Sequence, residues 1–414
     1  MTQPKSIAVI GAGVVGLSVA IWLQRTGQKV TVIERALPGE GTSSGNAGVF
    51  ADYARLPFSA FYNLRGMPRM LMDPEGPLSI QPRYVTSLMH YGLRFVKACS
   101  RRAYMNGRSA LTALQSVAPA ADDELLSATN ARDLVRHSGC LALVGSAAGL
   151  EAALAGHFRE RREQGVRMQV VSAGEVAELE PGLEPFHAGG VYYPDTRHTV
   201  DPLMLSRRYA KTFADAGGRL LRTQVIGVSQ GDGHAVINTG ESRQNFDHVV
   251  LCAGYASADL ARCLGLKVPL ASERGYHLMI NASGRSIQRP VVWLDKATFL
   301  TPMEGGIRVA GTAEFAYPDA PQSAARTKVM LSSARRMLGT DPEVLSTWVG
   351  SRPSTPDSLP VIGPIPGAPS FTTAFGHGHL GLTLAAVTGK LVSESVRGLP
   401  TSIDLSPFLP DRFG

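Results

Sequence analysis

The amino-acid sequence predicts an α/β chain in which a parallel-sheet domain, assembled from separated segments, is interleaved with an α+β domain carrying an antiparallel sheet. Three observations predict this. The chain opens with an apolar run, a glycine loop, a helical stretch and a second apolar run. From Val268 to Ala310 short apolar runs alternate with turn residues, the pattern of an antiparallel sheet. Near the end, Phe371 to Phe375 again meets a glycine-rich turn and then a helix, repeating the arrangement of the start.

The opening unit is the most informative. Ser6-Ile7-Ala8-Val9-Ile10 reads as a buried strand, Leu17 to Arg25 as a helix and Thr31-Val32-Ile33 as a second strand. Between the first two lies Gly11-Ala12-Gly13-Val14-Val15-Gly16. In such a loop the first glycine allows a tight turn, the second lets a pyrophosphate approach the backbone, and the third lets helix and strand pack closely. The helix start offers unpaired N–H groups and a positive dipole end to the phosphates. Glu34, 18 residues beyond Gly16, ends the second strand where a carboxylate accepts both ribose hydroxyls, with Arg35 beside it. This is a Rossmann-type unit that binds a dinucleotide, FAD or NAD.

The remaining elements follow in order. Gly39 to Gly48 is too polar and glycine-rich for a strand, residues 55–82 read as an irregular excursion with short helices, and residues 84–130 have helical periodicity. Gly139 to Val144 reads as a strand, and Ala147 to Gln164 as a helix ending at Gly165. A strand at Gly189 to Pro194 is followed by a helix to about Ala216, with Asp201 as N-cap and Pro202 at its first position. Arg219 to Val250 alternates as a meander, and Val249 to Gly254 ends in small residues, so Ala253 and Gly254 border a ligand. Strands are expected at 268–281, 290–294, 297–302 and 307–311, a helix at Gln322 to Leu338, a Pro-rich loop at 351–369 and a last helix from Leu382 to Val396. The expected dinucleotide-binding domain comprises 1–54, 200–265 and 345–414, and the substrate domain 55–199 and 266–344.

Composition narrows the function classes. The 414 residues are 44% hydrophobic and 18% charged, with 41 Lys and Arg against 34 Asp and Glu, a net charge of +7. The cations are scattered rather than striped, which argues against nucleic acid. The four cysteines, Cys99, Cys140, Cys252 and Cys263, form no CxxC pair, as expected of a reduced, cytoplasmic protein. No run is long and apolar enough to span a bilayer, so any membrane contact is expected to be peripheral.

Three later stretches carry chemistry. Gly376-His377-Gly378-His379-Leu380-Gly381 precedes a helix whose start can stabilise negative charge, as a reduced flavin carries and a nicotinamide does not. A structural turn is the alternative. The His377/His379 spacing invites a metal, but no carboxylate or cysteine cluster completes a ligand set; one histidine is expected to face the active site and the other to brace the loop. Arg352 sits in Gly350-Ser351-Arg352-Pro353-Ser354-Thr355-Pro356-Asp357, where rigidity favours a bidentate grip on a carboxylate; a surface pair with Asp357 is the alternative. Tyr276, in Glu273-Arg274-Gly275-Tyr276-His277, is either a pocket hydroxyl or a core ring, and Tyr53 is a weaker candidate of the same kind.

With these stretches placed, the chain resembles the FAD-dependent D-amino-acid oxidoreductases, and within them the small subunits of bacterial D-amino acid dehydrogenases. The resemblance rests on Val9 to Gly16, Thr42-Ser43-Ser44-Gly45-Asn46-Ala47-Gly48 with Tyr53-Ala54, Arg274-Gly275-Tyr276, Arg352 to Asp357, and Gly376 to Thr383. It implies a D-amino-acid-oxidase-like fold and noncovalent FAD, since no cysteine stands where relatives attach flavin. It implies that Gly11, Gly13, Val15, Gly16, Glu34 and Arg35 hold the ADP half, with Val225 meeting the adenine through its backbone. Ser43, Ser44, Asn46, Ala47 and Gly48 would line pyrophosphate and isoalloxazine; Gly378, His379, Leu380, Gly381, Leu382 and Thr383 would cup the flavin pyrimidine edge. Arg352 would grip the substrate carboxylate, with Tyr276, Tyr53 and His377 assisting. His379 stands where threonine is frequent and Arg274 where lysine is, which bears on side-chain preference. The implied reaction is oxidation of a D-amino acid to the 2-oxo acid and ammonia by hydride transfer from Cα to flavin N5, with quinone or oxygen as acceptor, at the inner face of the membrane in the quinone case. Oxidation of glycine, sarcosine or a cyclic imino acid of the proline or hydroxyproline type is the alternative.

Overall fold

The computed structural model describes residues 4–282 and 284–413. The first elements in chain order that matter for the site are β1 (Ser6–Ile10), α1 (Val14–Arg25) and β2 (Lys29–Glu34). The excursion follows as α2 (Phe61–Met72), α3 (Val85–Ala98) and the long α4 (Arg101–Ala128). After α5 (Pro202–Asp215) come β3 (Arg219–Arg222), β4 (His248–Leu251), β5 (Ala271–Asn281) and β6 (Gly306–Phe315). The chain closes with β7 (Glu343–Ser354), β8 (Val361–Ile365), β9 (Ala368–Phe375) and α6 (Gly381–Val396).

A six-stranded sheet has the order β3-β2-β1-β4-β9-β8, with every pair parallel except β9 and β8. Its central strands are near-continuous apolar runs because helices or loops cover both faces. On one face α1, α4, α5 and α6 bury Leu17, Leu114, Leu125, Phe213, Leu384 and Leu391. The other face is closed by the meander Gly227–Gln230, Ala235–Asn238 and Arg243–Phe246. Asp201 caps α5 as expected, its carboxylate accepting from the N–H groups of Leu203 at 2.8 Å and Met204 at 2.9 Å.

The second sheet has nine strands and is mostly antiparallel, with β7 at one edge, then β5, β6 and Thr298–Met303. Helix Ala324–Leu338 packs on it through Met330, Ala334 and Met337. Three expectations need correction. Residues 351–369 are not one loop: β7 runs to Ser354 and β8 begins at Val361. Proline is tolerated because β7 is an edge strand, where a missing N–H breaks no ladder bond. Residue 345 lies within β7, which pairs with β5 of the antiparallel sheet. Arg219–Arg222, expected in the meander, joins the parallel sheet beside β2. The single helix expected over 147–164 is two, Ala147–Ala155 and His157–Glu163, broken at Gly156.

Candidate functional site

The carboxyl ends of β1 and β2 and the start of α1 form the first half of the site. Gly11 has φ +110°, and a Cβ there would lie 2.3 Å from the Cys252 carbonyl oxygen, while one on Gly16 would lie 2.0 Å from the Gly11 oxygen. Both positions exclude any side chain, so loop, helix and β4 close on each other. No side chain caps α1; its Val14 N–H is met by Ser43 Oγ at 3.0 Å. Glu34 sits at the tip of β2 with its carboxylate fixed by the N–H groups of Ala12 at 2.8 Å and Ala36 at 3.1 Å. Val15 and Gly13 are part-buried at the same loop, and Arg35 is exposed beside it.

The polar segment 42–48 packs over that loop. Thr42–Gly45 is a single 3-10 turn, and Asn46 closes it, donating to the Ser43 carbonyl at 2.6 Å and accepting from Gly48 N–H at 2.7 Å. Arg308 donates to the carbonyls of Ser44 at 3.0 Å and Asn46 at 2.8 Å. Thr42 Oγ1 donates to the Ser351 carbonyl at 2.8 Å, which ties this segment to β7 beside Arg352. Ala47 is half-buried against the cluster that holds Tyr53. Ala253 and Gly254 follow β4, and Val225 lies past β3, both Ala253 and Val225 packing on the core beneath the meander.

The third piece is the turn into α6. Gly378 is left-handed at φ +52°, and α6 begins at Gly381 with no side-chain cap, leaving a helix start free to face an anion. Leu382 and Thr383 are buried, and the Thr383 hydroxyl accepts from Ala51 N–H at 2.9 Å. Leu380 packs part-buried against the helical core.

Arg352 lies between this turn and β5. It stands directly opposite Glu273 in the β5–β7 ladder, and its Nη1 donates to Glu273 Oε1 at 3.1 Å. The guanidinium lies flat against Gly275, where a Cβ would come within 2.2 Å of Nη2. Glu273 also accepts from Ser354 Oγ at 2.8 Å, and His379 Nδ1 is 3.4 Å from the Oε1 that Arg352 holds. Burial acts to raise the Glu273 carboxyl, but His379, Arg352 and the Ser354 bond outweigh it, and the group is held below the usual carboxylate range. Glu273 supports the His379 cation, yet burial and Arg352 together hold that imidazole below its ordinary value. The cluster at neutral pH is therefore a guanidinium, a carboxylate and a neutral imidazole. Asp357, the other partner considered for Arg352, is held by Arg412 at 2.8 Å.

The structure does not bring all the expected residues together. Tyr276 lies on the opposite face of β5 from Glu273, buried, donating to Glu314 at 2.6 Å and accepting from Ser323 N–H at 3.2 Å. Arg274 shares that network through Glu314 at 3.1 Å. Strand alternation is the reason: residues 273 and 275 face the anchor, so 274 and 276 cannot. Tyr53 is a core ring stacked on Tyr193 at 4.2 Å. His377 is the bracing histidine: it is buried, bonded to Thr388 Oγ1 at 2.9 Å, and burial pushes it down to about 3. His379, half-exposed, is the one that faces the anchor. Glu273 was missed. Its only sequence signal is that it is the lone acid of the strand, two residues before the glycine that receives Arg352.

Three pieces thus converge: a glycine loop with the Glu34 carboxylate at its rim, a polar turn over it, and a second helix start beside the Arg352 guanidinium. These fit a flavin dinucleotide, whose pyrophosphate needs the first and whose ring needs the second helix start. Residues 6–395 match the family described as FAD dependent oxidoreductase. The chain is 30% identical over 422 residues to a D-amino-acid oxidase of Bradyrhizobium diazoefficiens, covering 100% of both. It is 31% identical over 423 residues to a D-amino acid dehydrogenase of Paramagnetospirillum magneticum, covering 98% of each. Its fold is like that of glycine oxidase from Geobacillus kaustophilus, with TM-score 0.76, 23% identity and 98% of each chain covered.

Proposed function

The chain belongs to the family of FAD-dependent oxidoreductases typified by D-amino-acid oxidase, and on that premise we propose that it oxidises D-amino acids to 2-oxo acids and ammonia. One observation carries the proposal: the guanidinium of Arg352 is held at 3.1 Å by Glu273 Oε1, and the same oxygen lies 3.4 Å from Nδ1 of His379 in the turn before α6. Arg352 is the anchor that takes the substrate carboxylate. Only one of its donors goes to Glu273, which leaves the fork open for a bidentate pair. FAD, when bound, supplies the acceptor for the two electrons of the Cα–H bond.

The chain's own part is to bind and orient. Fixing the carboxylate sets the Cα–H direction, and such positioning is worth roughly 7–11 kcal/mol of barrier in favourable cases. None of the ionisable side chains described around Arg352 is needed to remove the α-proton, because the neutral amine drives formation of the C=N bond. Activity therefore rises with pH as the substrate amine deprotonates. Titrating Arg352→Ala with a monocarboxylate, followed by the flavin spectrum, tests the assignment; unchanged affinity removes it.

For the acceptor, the surface supports a quinone at an anionic membrane face. On α3, Val85, Met89, Leu93 and Val96 form one stripe and are 54%, 66%, 70% and 53% exposed. Helix α2 buries none of its residues and exposes Phe61, Tyr62, Leu71 and Met72. An apolar stripe facing out inverts the usual amphipathic pattern and is the kind of surface that lies in a lipid interface. The flanking charges are Arg65, Arg69, Arg83, Arg94, Lys97, Arg101 and Arg102 against Asp73 and Glu75, complementary to acidic headgroups. Among the described residues no helix is long and apolar enough to cross a membrane.

A further inference from the structure

Arg308 is a buried cation that the arrangement described so far leaves without an anion. It stands on β6 opposite Met279, and its bonds go to neutral groups: Nη1 donates to the carbonyls of Ser44 at 3.0 Å and Asn46 at 2.8 Å, and Nε to Met279 Sδ at 3.4 Å. Among the described residues no carboxylate bonds to it. Arg197 and Arg274, also buried, each meet one, Asp122 at 3.0 Å and Glu314 at 3.1 Å. Arg326 is likewise held by carbonyls, but those of Gly76 and Pro74 in the loop after α2. A buried guanidinium with neutral partners is destabilising unless an anion comes to meet it. Burial lowers Arg308 to about 10 with Asp201 opposing, so it stays charged at neutral pH.

The turn that Arg308 holds is the one packed over the glycine loop. His277 Nδ1 donates to the Gly45 carbonyl at 3.1 Å, so the carbonyls of three consecutive residues, 44 to 46, are drawn to the β5–β6 ladder. His277 stacks on Trp348 at 5.1 Å, and a Cβ on Gly45 would lie 2.2 Å from that indole, so the turn lies flat on the sheet. His277 does not share the charge, because burial and Arg308 push it down to about 3. The same turn reaches the glycine loop through Ser43 Oγ, which meets Val14 N–H at 3.0 Å. It therefore stands between a fixed positive charge and the start of α1. We propose that Arg308 is the fixed cation of the cofactor site, a positioning residue that acts through the 42–48 turn to favour the reduced, anionic ring of FAD over the oxidised one. The proposal rests on the reading that this turn lines the isoalloxazine. On reduction the ring takes up two electrons and one proton and so gains one negative charge. At an effective dielectric of about 20, a unit charge about 10 Å away favours that form on the order of 10-fold.

The test is the midpoint potential of the bound flavin in the purified holoprotein, read against a reference dye during reduction by dithionite, with Tm measured beside it. Arg308→Gln keeps an N–H donor for the turn and removes the charge. It should lower the potential by about 30 mV, the equivalent of a tenfold loss for a two-electron couple. Arg308→Lys keeps the charge and should hold the wild-type potential. A merely structural tie would lower Tm in these variants and leave their potentials at the wild-type value. An unmoved potential in Arg308→Gln overturns the proposal, and so does an Arg308→Lys variant that falls as far. If Arg308→Gln does not fold or retain FAD, Asp201→Asn decides, since asparagine caps α5 as well as aspartate does. By removing the acid that opposes Arg308 it should raise the potential, and an unmoved value overturns the proposal. Because dithionite replaces the substrate, failure of every amino acid to bleach the flavin counts against the proposed reaction alone.

Discussion

At the residue scale the proposed anchor, Arg352, forms a cross-strand pair with Glu273 laid on Gly275. Hydrogen bonds to a charged group contribute about 1.5–3 kcal/mol each, so Arg352→Ala should weaken binding of a monocarboxylate by roughly 10- to 150-fold, read as Kd from flavin difference spectra. Gly275→Val tests the seat of the guanidinium: its Cβ would fall within 2.2 Å of Nη2, so KM should rise while flavin content stays near wild type. A normal KM would mean that the fork finds its geometry without that seat. Arg352 stands out in the sequence because an arginine beside prolines, near a glycine-rich turn, is an unusual setting; that it lies in a strand rather than a loop was not legible. Nor were Glu273 and the true positions of Tyr276 and Tyr53. Which side of β5 meets Arg352 is decided by its register against β7, and no local pattern in an almost wholly buried strand records that.

At the element scale, the glycine loop and the outward-facing helices make separate predictions. Gly16→Ala forces a Cβ to within 2.0 Å of the Gly11 oxygen, so the βα unit must open; overpacking of this kind costs about 1–3 kcal/mol, and the variant should lose FAD and melt earlier. Retention of full flavin with an unchanged Tm would contradict the close packing. Met89→Glu with Leu93→Glu, on the exposed stripe of α3, should abolish co-sedimentation with vesicles containing acidic phospholipid while leaving the melting temperature in place. Equal binding to purely zwitterionic vesicles would remove the charge argument. The βαβ opening, the capped α5 and the last helix were legible because each carries local signals: a glycine spacing, an Asp-Pro cap, and a strand–glycine–helix run. The extension of β7 through Arg352-Pro353 was not, since proline signals a loop unless the strand is known to be an edge.

At the scale of the whole molecule, the acid limit of the fold follows from its buried histidines. Burial holds His198 and His248 down to about 4 and His277 and His377 down to about 3. In the unfolded chain these groups take up protons below about pH 6.5, whereas the folded chain does not until lower pH. The unfolded state therefore binds more protons between about pH 6.5 and pH 4, and stability falls as pH falls through that window, by up to about 1.4 kcal/mol per pH unit for each histidine. Thermal melts from pH 7.5 to pH 4.5 should show a steady drop in Tm; a flat profile would contradict neutral burial. The two-sheet plan itself was legible, because parallel and antiparallel strands leave different patterns. The joins between the sheets were less so, as the residues near 219 and 345 show, since pairing partners distant in sequence decide them. The measurement that tests the account most directly is anaerobic mixing of the purified yellow protein with D-alanine, L-alanine, glycine and L-proline while flavin absorbance is followed. Bleaching by D-alanine, with the other three leaving the flavin oxidised, is the predicted result. Flavin that stays oxidised with every D-amino acid but is bleached by glycine, L-proline or an L-amino acid would contradict it.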